Sequence, residues 1–264
     1  MKKPIIAATL YTLRDHCADV KELPKTFARL KKIGYDYAQI SGVGAQAAPA
    51  EIRQMLLDAG IETIGAHIGY NQWRDSFKDT IDRCHGFGIS YAAIPGLDWK
   101  PMIQNFSLAD WRKFFRSLDT IAKNAKKEGV QLQYHNHNWE FSQLGIKGGR
   151  NGKTVLEMMF DTCSVLQGEP DFGWVVNGGA DPVAWAGRMK GRMDQVHFKG
   201  WGFLGGNFVM RALGQDRIDW PAIAKACLKG GTHTFIVEQD NWPASGDPFK
   251  SLAISREYLK GFLG

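Results

Sequence analysis

Residues 108–140 read LADWRKFFRSLDTIAKNAKKEGVQLQYHNHNWE. Apolar residues recur with helical spacing over Leu108–Lys127, and Ser107, just ahead of that segment, is typical of a helix N-terminus. Gly129 can adopt the left-handed backbone that ends a helix. The segment that follows, Gln131–His137, predicts a strand, and imidazole, amide and carboxylate groups stand at its end. The repeating unit of the chain is therefore a helix, a glycine stop and a strand with a polar end.

The same alternation continues in both directions along the chain and gives eight strand and helix pairs. The predicted strands are Ile5–Thr12, Tyr37–Ser41, Glu62–Ile68, Tyr91–Pro95, Gln131–His137, Val165–Asp171, Gln195–Lys199 and Thr234–Gln239. The predicted helices are Leu23–Ile33, Pro49–Ala59, Trp73–Phe87, Leu108–Lys127, Thr154–Thr162, Pro182–Met189, Trp220–Leu228 and Pro248–Leu259. Strands that alternate with helical crossovers are parallel. We therefore expect residues 1–264 to form one α/β domain, a single (β/α)8 TIM barrel.

A doubly wound open sheet shows a similar alternation, but it often carries a glycine-rich phosphate turn after its first strand. Here Leu13, Arg14, Asp15 and His16 follow that strand. A dinucleotide site is therefore not expected.

Composition excludes several classes of partner. The formal net charge is +6, but the basic residues are spread over predicted helices, which indicates solvated helix faces and no nucleic-acid partner. No apolar stretch approaches the roughly 20 residues of a membrane span. The first apolar run breaks at Tyr11–Asp15 without a small-residue cleavage site, and the four cysteines lack C-x-x-C spacing. We expect a cytoplasmic protein with reduced thiols, which is free to form a homo-oligomer.

Polar residues stand where four neighbouring strands end, and active sites of this fold lie at the carboxyl ends of the strands. His197 and Lys199 share one face of the seventh strand, because side chains alternate along a strand. Asp171 ends the sixth strand and Glu238 ends the apolar run of the eighth. Carboxylates gathered in a partly dry site cost several kcal/mol unless a cation compensates them. We therefore predict one divalent metal ion, Mn, Mg, Co or Zn, in a mixed oxygen and nitrogen site.

Each candidate ligand has a structural alternative. Glu238 and His197 are metal ligands in preference to a structural ion pair or a core histidine. Asp171 is a ligand or a cap of the turn at Phe172–Gly173. Glu140 lies beyond its strand and is equally a ligand or a solvated loop residue.

The remaining polar and aromatic side chains near the predicted mouth suit contact with a substrate. His135 and His137 fit a metal ligand, a substrate contact or a core histidine, with substrate contact slightly favoured. His67 ends the third strand and reaches the mouth. Trp174 and Trp242 lie near the rim, where an indole face could stack on a sugar ring or pack a helix against the barrel.

An ordered set of motifs covers nearly the whole chain: Tyr11–Asp15, Tyr134–His137 with Glu140-Phe141, Gly173–Val176, Gly178–Pro182, Val196–Lys199, Ile218–Trp220 and Ile236–Asp240. This set resembles the xylose isomerase-like sugar isomerase/epimerase family. The resemblance implies a (β/α)8 barrel with one divalent metal held by a Glu, Asp, His, Glu quartet, which maps onto Glu140, Asp171, His197 and Glu238. The family's glutamate often lies within the fifth strand itself, where this chain has His135, so the ligand from this strand is Glu140 or a histidine.

The resemblance also implies a class of chemistry. Members isomerise or epimerise ketoses, dehydrate inososes, or eliminate across 3-keto glycosides. We expect a metal-dependent isomerase, epimerase or related lyase that removes a proton next to a carbonyl of a sugar, keto-sugar or cyclitol and forms an enediolate. Glu140 and Glu238 are the candidate acid and base, and Lys199 or His135 would stabilise oxyanion charge or protonate a leaving group.

Two other functions fit the same architecture. An abasic-site endonuclease would use three zinc ions and a basic rim for the DNA backbone, and the seven histidines supply few ligands for that. A sugar-binding barrel without catalysis is the second alternative, because Glu140 is placed unusually. About one metal ion per chain indicates the isomerase, about three the nuclease, and none the binding protein.

Overall fold

The structure, a computed structural model, describes residues 3–144 and 152–264. Eight parallel strands form one sheet that curls into a nearly closed barrel, and two further strands form a separate antiparallel hairpin. The strands are β1 (Ile5–Thr9), β2 (Tyr37–Ile40), β3 (Glu62–His67), β4 (Tyr91–Ile94), β5 (Gln131–His135), β6 (Gln167–Glu169), β7 (Gln195–Phe198), β8 (Gly200–Leu204), β9 (Asn207–Arg211) and β10 (Thr234–Val237). The barrel order is β6-β5-β4-β3-β2-β1-β10-β7. The predicted TIM barrel is confirmed.

Helices surround the barrel in the order α1 (Leu23–Ile33), α2 (Pro49–Asp58), α3 (Tyr70–Asp75), α4 (Phe77–Phe87), α5 (Trp99–Asn105), α6 (Leu108–Lys127), α7 (Val155–Thr162), α8 (Phe172–Asn177), α9 (Pro182–Arg188), α10 (Trp220–Gly230) and α11 (Pro248–Leu263). The capping predicted for α6 is present, because the Ser107 hydroxyl accepts a hydrogen bond from the amide of Asp110.

Outward-facing residues of the strands form the hydrophobic layer under the helices. On β7, Phe198 is fully buried and its ring centre lies 4.6 Å from that of Trp220 on α10 and 5.3 Å from that of Phe235 on β10. Side chains alternate along the strand, so His197 and Lys199 face the interior of the barrel. Apolar packing on one face thus orients the polar residues on the other.

The barrel closes between β6 and β7 through a single bridge. Pro170 lacks an N–H group and ends β6 earlier than the predicted strand, which ran to Asp171. Its carbonyl still accepts from the His197 amide at 2.8 Å, and Asp171 pairs with His197 in a parallel bridge. This bridge places Asp171 beside His197.

Several predicted boundaries are wrong. The first strand ends at Thr9 because the Thr9 hydroxyl accepts from the Tyr11 amide and caps a short 3-10 helix, Leu10–His16. The predicted helix Trp73–Phe87 is two helices separated at Ser76. Helices α5 and α8 and the β8–β9 hairpin, all in loops at the carboxyl ends of strands, are additional to the predicted elements.

Candidate metal centre and active site

Six side chains converge inside the barrel at the carboxyl ends of its strands. They form two overlapping groups whose possible ligand atoms lie within 4.8 Å of one another. We call the first the Asp171 cluster; it contains His135, Asp171, His197 and Glu238. We call the second the Glu169 cluster; it contains His67, His135, Glu169 and His197. All six side chains are buried except that of His67, which is nearly so.

The spacing within the Asp171 cluster suits one small cation. His197 Nδ1 lies 2.7 Å from Glu238 Oε2, and His135 Nε2 lies 3.9 Å from the same oxygen. His135 Nε2 lies 4.0 Å from Asp171 Oδ2. Ligands about 2.1 Å from a tetrahedral ion are roughly 3.4 Å apart. The observed separations bracket that value, so small side-chain adjustments would place all four groups on one ion.

Buried ligand atoms without a hydrogen-bond partner among the described residues occur in both clusters. In the Asp171 cluster this atom is Asp171 Oδ2, and in the Glu169 cluster these atoms are His197 Nε2 and His135 Nδ1, which lie 3.3 and 3.6 Å from Glu169 Oε2. Buried polar atoms are nearly always paired, because an unpaired one costs about 1–3 kcal/mol. The donor set of imidazole and carboxylate is also the set that Zn, Mn and Co prefer. The residues present therefore fit a divalent cation.

Glu169 is the anionic centre of the Glu169 cluster. Its Oε1 accepts from Gln39 Nε2 at 2.6 Å, and its Oε2 lies 2.8 Å from His67 Nε2 and 3.3 Å from His197 Nε2. Burial alone would raise the pKa of Glu169, but the imidazoles of His197 and His67 outweigh burial and hold that pKa well below its usual value. Glu169 thus stays ionised next to the Asp171 cluster.

Lys199 supplies a buried positive charge beside the Asp171 cluster. Its Nζ lies 3.3 Å from Asp171 Oδ2, 3.5 Å from Glu238 Oε2 and 3.2 Å from Asp240 Oδ2. It also lies 4.8 Å from the ring centre of Trp174. Burial lowers the pKa of Lys199, but the carboxylates of Glu238, Asp171 and Asp240 raise it more, so the pKa lies above its usual value.

Burial and neighbouring charges shift the pKa values of the other groups in different directions. Burial raises the pKa of Asp171 to about 7. Burial would lower the pKa of His197, but the Glu169 and Glu238 carboxylates raise it to about 10. Burial and the charge of His197 hold the pKa of His135 well below its usual value. The acidic groups of the centre outnumber its cationic ones, so its field attracts a cation.

Glu140 lies outside both clusters. It follows β5 in a short 3-10 helix, Trp139–Phe141, and is fully buried. Its Oε1 accepts from the Tyr134 hydroxyl at 2.8 Å, and its Oε2 accepts from the His137 amide at 2.8 Å. Burial raises its pKa to about 8. The structure therefore joins Asp171, His197 and Glu238 of the predicted quartet and supplies His135, not Glu140, from β5.

The predicted substrate-binding residues divide into two groups. His67, His137 and Trp174 line a pocket of about 400 Å³, which we call the catalytic pocket, together with His135, Glu238 and Asp240. Trp242 instead lies beside Arg14, whose guanidinium carbon is 5.7 Å from its ring centre.

Sequence reasoning assigned no specific role to Glu169, Gln39 or Asp240. It placed Glu169 on the same face of the predicted sixth strand as Asp171, and that alternation is the signal for its position in the site. Asp240 stands at the polar end of the eighth predicted strand, but its contact with Lys199 depends on the tertiary fold.

Comparisons with known proteins agree with this architecture. The model of the xylose isomerase-like TIM barrel family matches residues 27–260. An inosose dehydratase of Lacticaseibacillus casei is 25% identical over 175 residues, which cover 59% of this chain and 55% of that protein. The chain thus spans about half the length of the curated relatives it matches. The chain belongs to the xylose isomerase-like TIM barrel family.

Solved structures share the fold over the full chain. A sugar phosphate isomerase/epimerase from Parabacteroides distasonis superimposes with a TM-score of 0.83 at 22% identity, covering 100% of this chain and 96% of that one. An L-ribulose 3-epimerase gives a TM-score of 0.71 at 16% identity, covering 98% and 94%. None of the helices in the described part of the chain has the length and apolar character needed to cross a membrane.

Proposed function

We propose that this protein is a divalent-metal-dependent isomerase or epimerase, or a related lyase, that acts on a sugar, keto-sugar or cyclitol. The Asp171 cluster carries the proposal: four buried ligand groups at the carboxyl ends of four strands lie within reach of one ion, and Asp171 Oδ2 has no hydrogen-bond partner among the described residues. The family and the dehydratase and epimerase relatives support the class of reaction.

In the proposed ligand set, Asp171, His197 and Glu238 hold the cation and His135 is the fourth ligand. When bound, the cation supplies Lewis-acid polarisation of a substrate carbonyl. Glu140, predicted as a ligand and as an acid or base, is proposed instead to position His137 through the amide hydrogen bond described above.

The side chains around the catalytic pocket provide proton transfer. Glu238 lines the pocket, and we assign its carboxylate the removal of the proton next to the carbonyl. The Lys199 ammonium lies outside the pocket lining and 3.5 Å from Glu238 Oε2, and we assign its positive charge the electrostatic stabilisation of the oxyanion that develops. His67, His137 and Trp174 bound the space in which the sugar ring would lie.

A nuclease function is less well supported. The two clusters share His135 and His197, so the ligands that they offer suit one ion better than three. Among the described residues, the lining of the catalytic pocket contains Glu238 and Asp240 but neither lysine nor arginine. A DNA backbone requires the opposite charge.

Solvent deuterium uptake tests the proposed reaction. Ketoses, inososes and 3-keto glycosides are incubated with the Mn-loaded protein in deuterated water, and uptake next to the carbonyl is followed by NMR. Replacing Glu238→Gln should lower uptake at least about 100-fold, because a positioned base contributes that much. Glu257→Gln, at a side chain that is 75% exposed, is the matched control. Undiminished exchange in Glu238→Gln would remove this residue from the reaction.

A further inference from the structure

A second, larger cleft adjoins the catalytic pocket. It has a volume of about 1060 Å³ and lies between α3, α5 and the segments that follow β4 and β5. We call it the side cleft. Pro95 and His137 line both the side cleft and the catalytic pocket, so the two spaces meet at these residues. The side cleft is therefore the space next to the one in which the reacting ring would lie.

Gly96 stands at the junction of the two spaces. Its φ is +147°, a conformation that favours glycine. A Cβ at this position would lie 3.7 Å from Cε1 of His137, so a larger side chain would pack against the imidazole. The absent side chain leaves the imidazole uncovered on the side of Gly96, which lines the side cleft.

The lining of the side cleft suits a neutral ring. Trp99 and Trp139 stack with ring centres 5.4 Å apart and an interplanar angle of 12°, and they form an aromatic wall. Four residues with side-chain amides also line the cleft, Asn71, Gln72, Asn105 and Asn138; Asn105 Nδ2 donates to the Pro101 carbonyl and Asn138 Nδ2 to Asn177 Oδ1, so their carboxamide oxygens and the amides of Asn71 and Gln72 are the groups left to a ligand. Apolar faces beside a few uncharged hydrogen-bonding groups are typical of sites that orient small organic ligands.

Charge argues against a phosphate in either space. Arg74 lines the side cleft, but its guanidinium already donates to both carboxylate oxygens of Asp75, at 2.6 and 2.7 Å. Asp98 adds a negative charge to the lining. In the catalytic pocket, Glu238 and Asp240 of the lining would repel a phosphate dianion, and the nearby Lys199, which is buried outside the lining, is engaged by three carboxylates.

We infer that the substrate is an unphosphorylated glycoside, whose reacting ring occupies the catalytic pocket while a second neutral ring, a sugar or an aromatic aglycone, occupies the side cleft. The inference rests on the proposed function for the identity of the reacting ring. The second-ring site itself depends only on the shared wall at His137 and on the lining of the side cleft.

Matched ligands test the inference by calorimetric binding, which requires no turnover. Fructose, fructose 6-phosphate and the glucosyl-fructoses isomaltulose and turanose share a ketose and differ in the group attached to it. Methyl β-glucoside, with one ring, is compared with 4-nitrophenyl β-glucoside, which has an aromatic second ring. We expect at least one two-ring ligand to bind about tenfold more tightly than its one-ring counterpart, and fructose 6-phosphate to bind no more tightly than fructose.

Variants locate the second ring. Trp99→Ala and, independently, Phe106→Ala in the side cleft should remove most of the tenfold gain and leave one-ring binding within about twofold. Trp99→Phe should retain part of the gain. Phe203→Ala, at an exposed aromatic side chain outside the side cleft, is the control and should change neither.

Two results would overturn the inference: equal affinities for one-ring and two-ring ligands, or tighter binding of fructose 6-phosphate than of every two-ring ligand. A gain that survives both Trp99→Ala and Phe106→Ala would also overturn it. Failure here is distinguishable from failure of the proposed function, because deuterium uptake from a one-ring ketose would persist if only the second-ring site were wrong.

Discussion

Glu140 shows how one buried side chain connects a strand end to the catalytic pocket. Its two oxygens bond the Tyr134 hydroxyl on β5 and the His137 amide just beyond it. These bonds hold the segment in which β5 turns away from the barrel, and His137 is one of the two residues that line both spaces. A carboxylate with two neutral donors and no cation against it loses hydration that the bonds only partly replace, so burial raises its pKa to about 8.

This raised pKa predicts a pH-dependent stability. The ordinary value is 4.5, so the folded state binds the proton more strongly than the unfolded chain does. The stability that the neutral carboxyl contributes is complete below about pH 4.5 and is lost as the pH rises toward about 8. Glutamine is neutral at every pH. The melting temperature of Glu140→Gln minus that of the parent should therefore be roughly 5 °C higher at pH 8.5 than at pH 5.

Differential scanning calorimetry at both pH values measures this change, with Glu62→Gln at an exposed position as the control. A constant difference in melting temperature between Glu140→Gln and the parent would mean that the folded and unfolded states bind the Glu140 proton equally between pH 5 and pH 8.5, and the assigned environment would then be wrong.

At the scale of elements, α8 and the end of β7 approach so closely that glycine is required. Gly173 lies in the first turn of α8, and a Cβ at this position would overlap the carbonyl oxygen of Lys199. The close approach fixes Asp171, which caps α8 by accepting from the Trp174 amide at 2.9 Å. The packing of one short helix thus sets the distance between a proposed ligand and Lys199.

The substitution Gly173→Ala should lower the free energy of unfolding by about 2 kcal/mol, because backbone must move to admit one methyl group. Gly187→Ala is the matched control: this glycine lies in α9, and a Cβ there meets no atom of the described residues within 4 Å. It should be neutral or stabilise by up to about 1 kcal/mol. Urea unfolding compares the two variants, and equal stabilities would contradict the packing argument.

The sequence predicted the elements whose hydrophobic pattern is visible within a single segment of the chain. Alternation of apolar runs and amphipathic segments located all eight barrel strands, because each must bury an outward face under a helix. The β8–β9 hairpin and helix α5 were missed. They lie in loops in which apolar residues do not recur with the spacing of a strand or a helix. Helix α8 was missed as well, although its cap Asp171 had been weighed as the cap of a turn.

The same distinction explains the site. Asp171, His197 and Glu238 could be predicted to converge because parallel strands end on one side of a barrel. The position of Glu140 could not, because it depends on the 3-10 turn at Trp139–Phe141 and on the Tyr134 hydroxyl, which only the folded chain brings together. The cytoplasmic location and a homo-oligomeric state stay predictions.

On the scale of the whole molecule, charge is distributed unequally. The chain carries a formal net charge of +6, yet Glu169, Asp171, Glu238 and Asp240 gather at one end of the barrel, with Lys199 as the buried lysine among them. Basic residues on the outer helices give the protein its net positive charge, while acidic residues are concentrated in the barrel interior. A cation would be attracted to this interior and to no comparable place among the described residues.

Anomalous diffraction from crystals soaked in MnCl₂ tests the metal centre most directly. We predict one anomalous peak per chain, about 2.0–2.4 Å from side-chain atoms of Asp171, His197 and Glu238, with His135 as the remaining protein ligand. A peak bonded to Glu140 in place of His135, three peaks per chain, or a fully soaked crystal with no peak between these side chains would contradict the account.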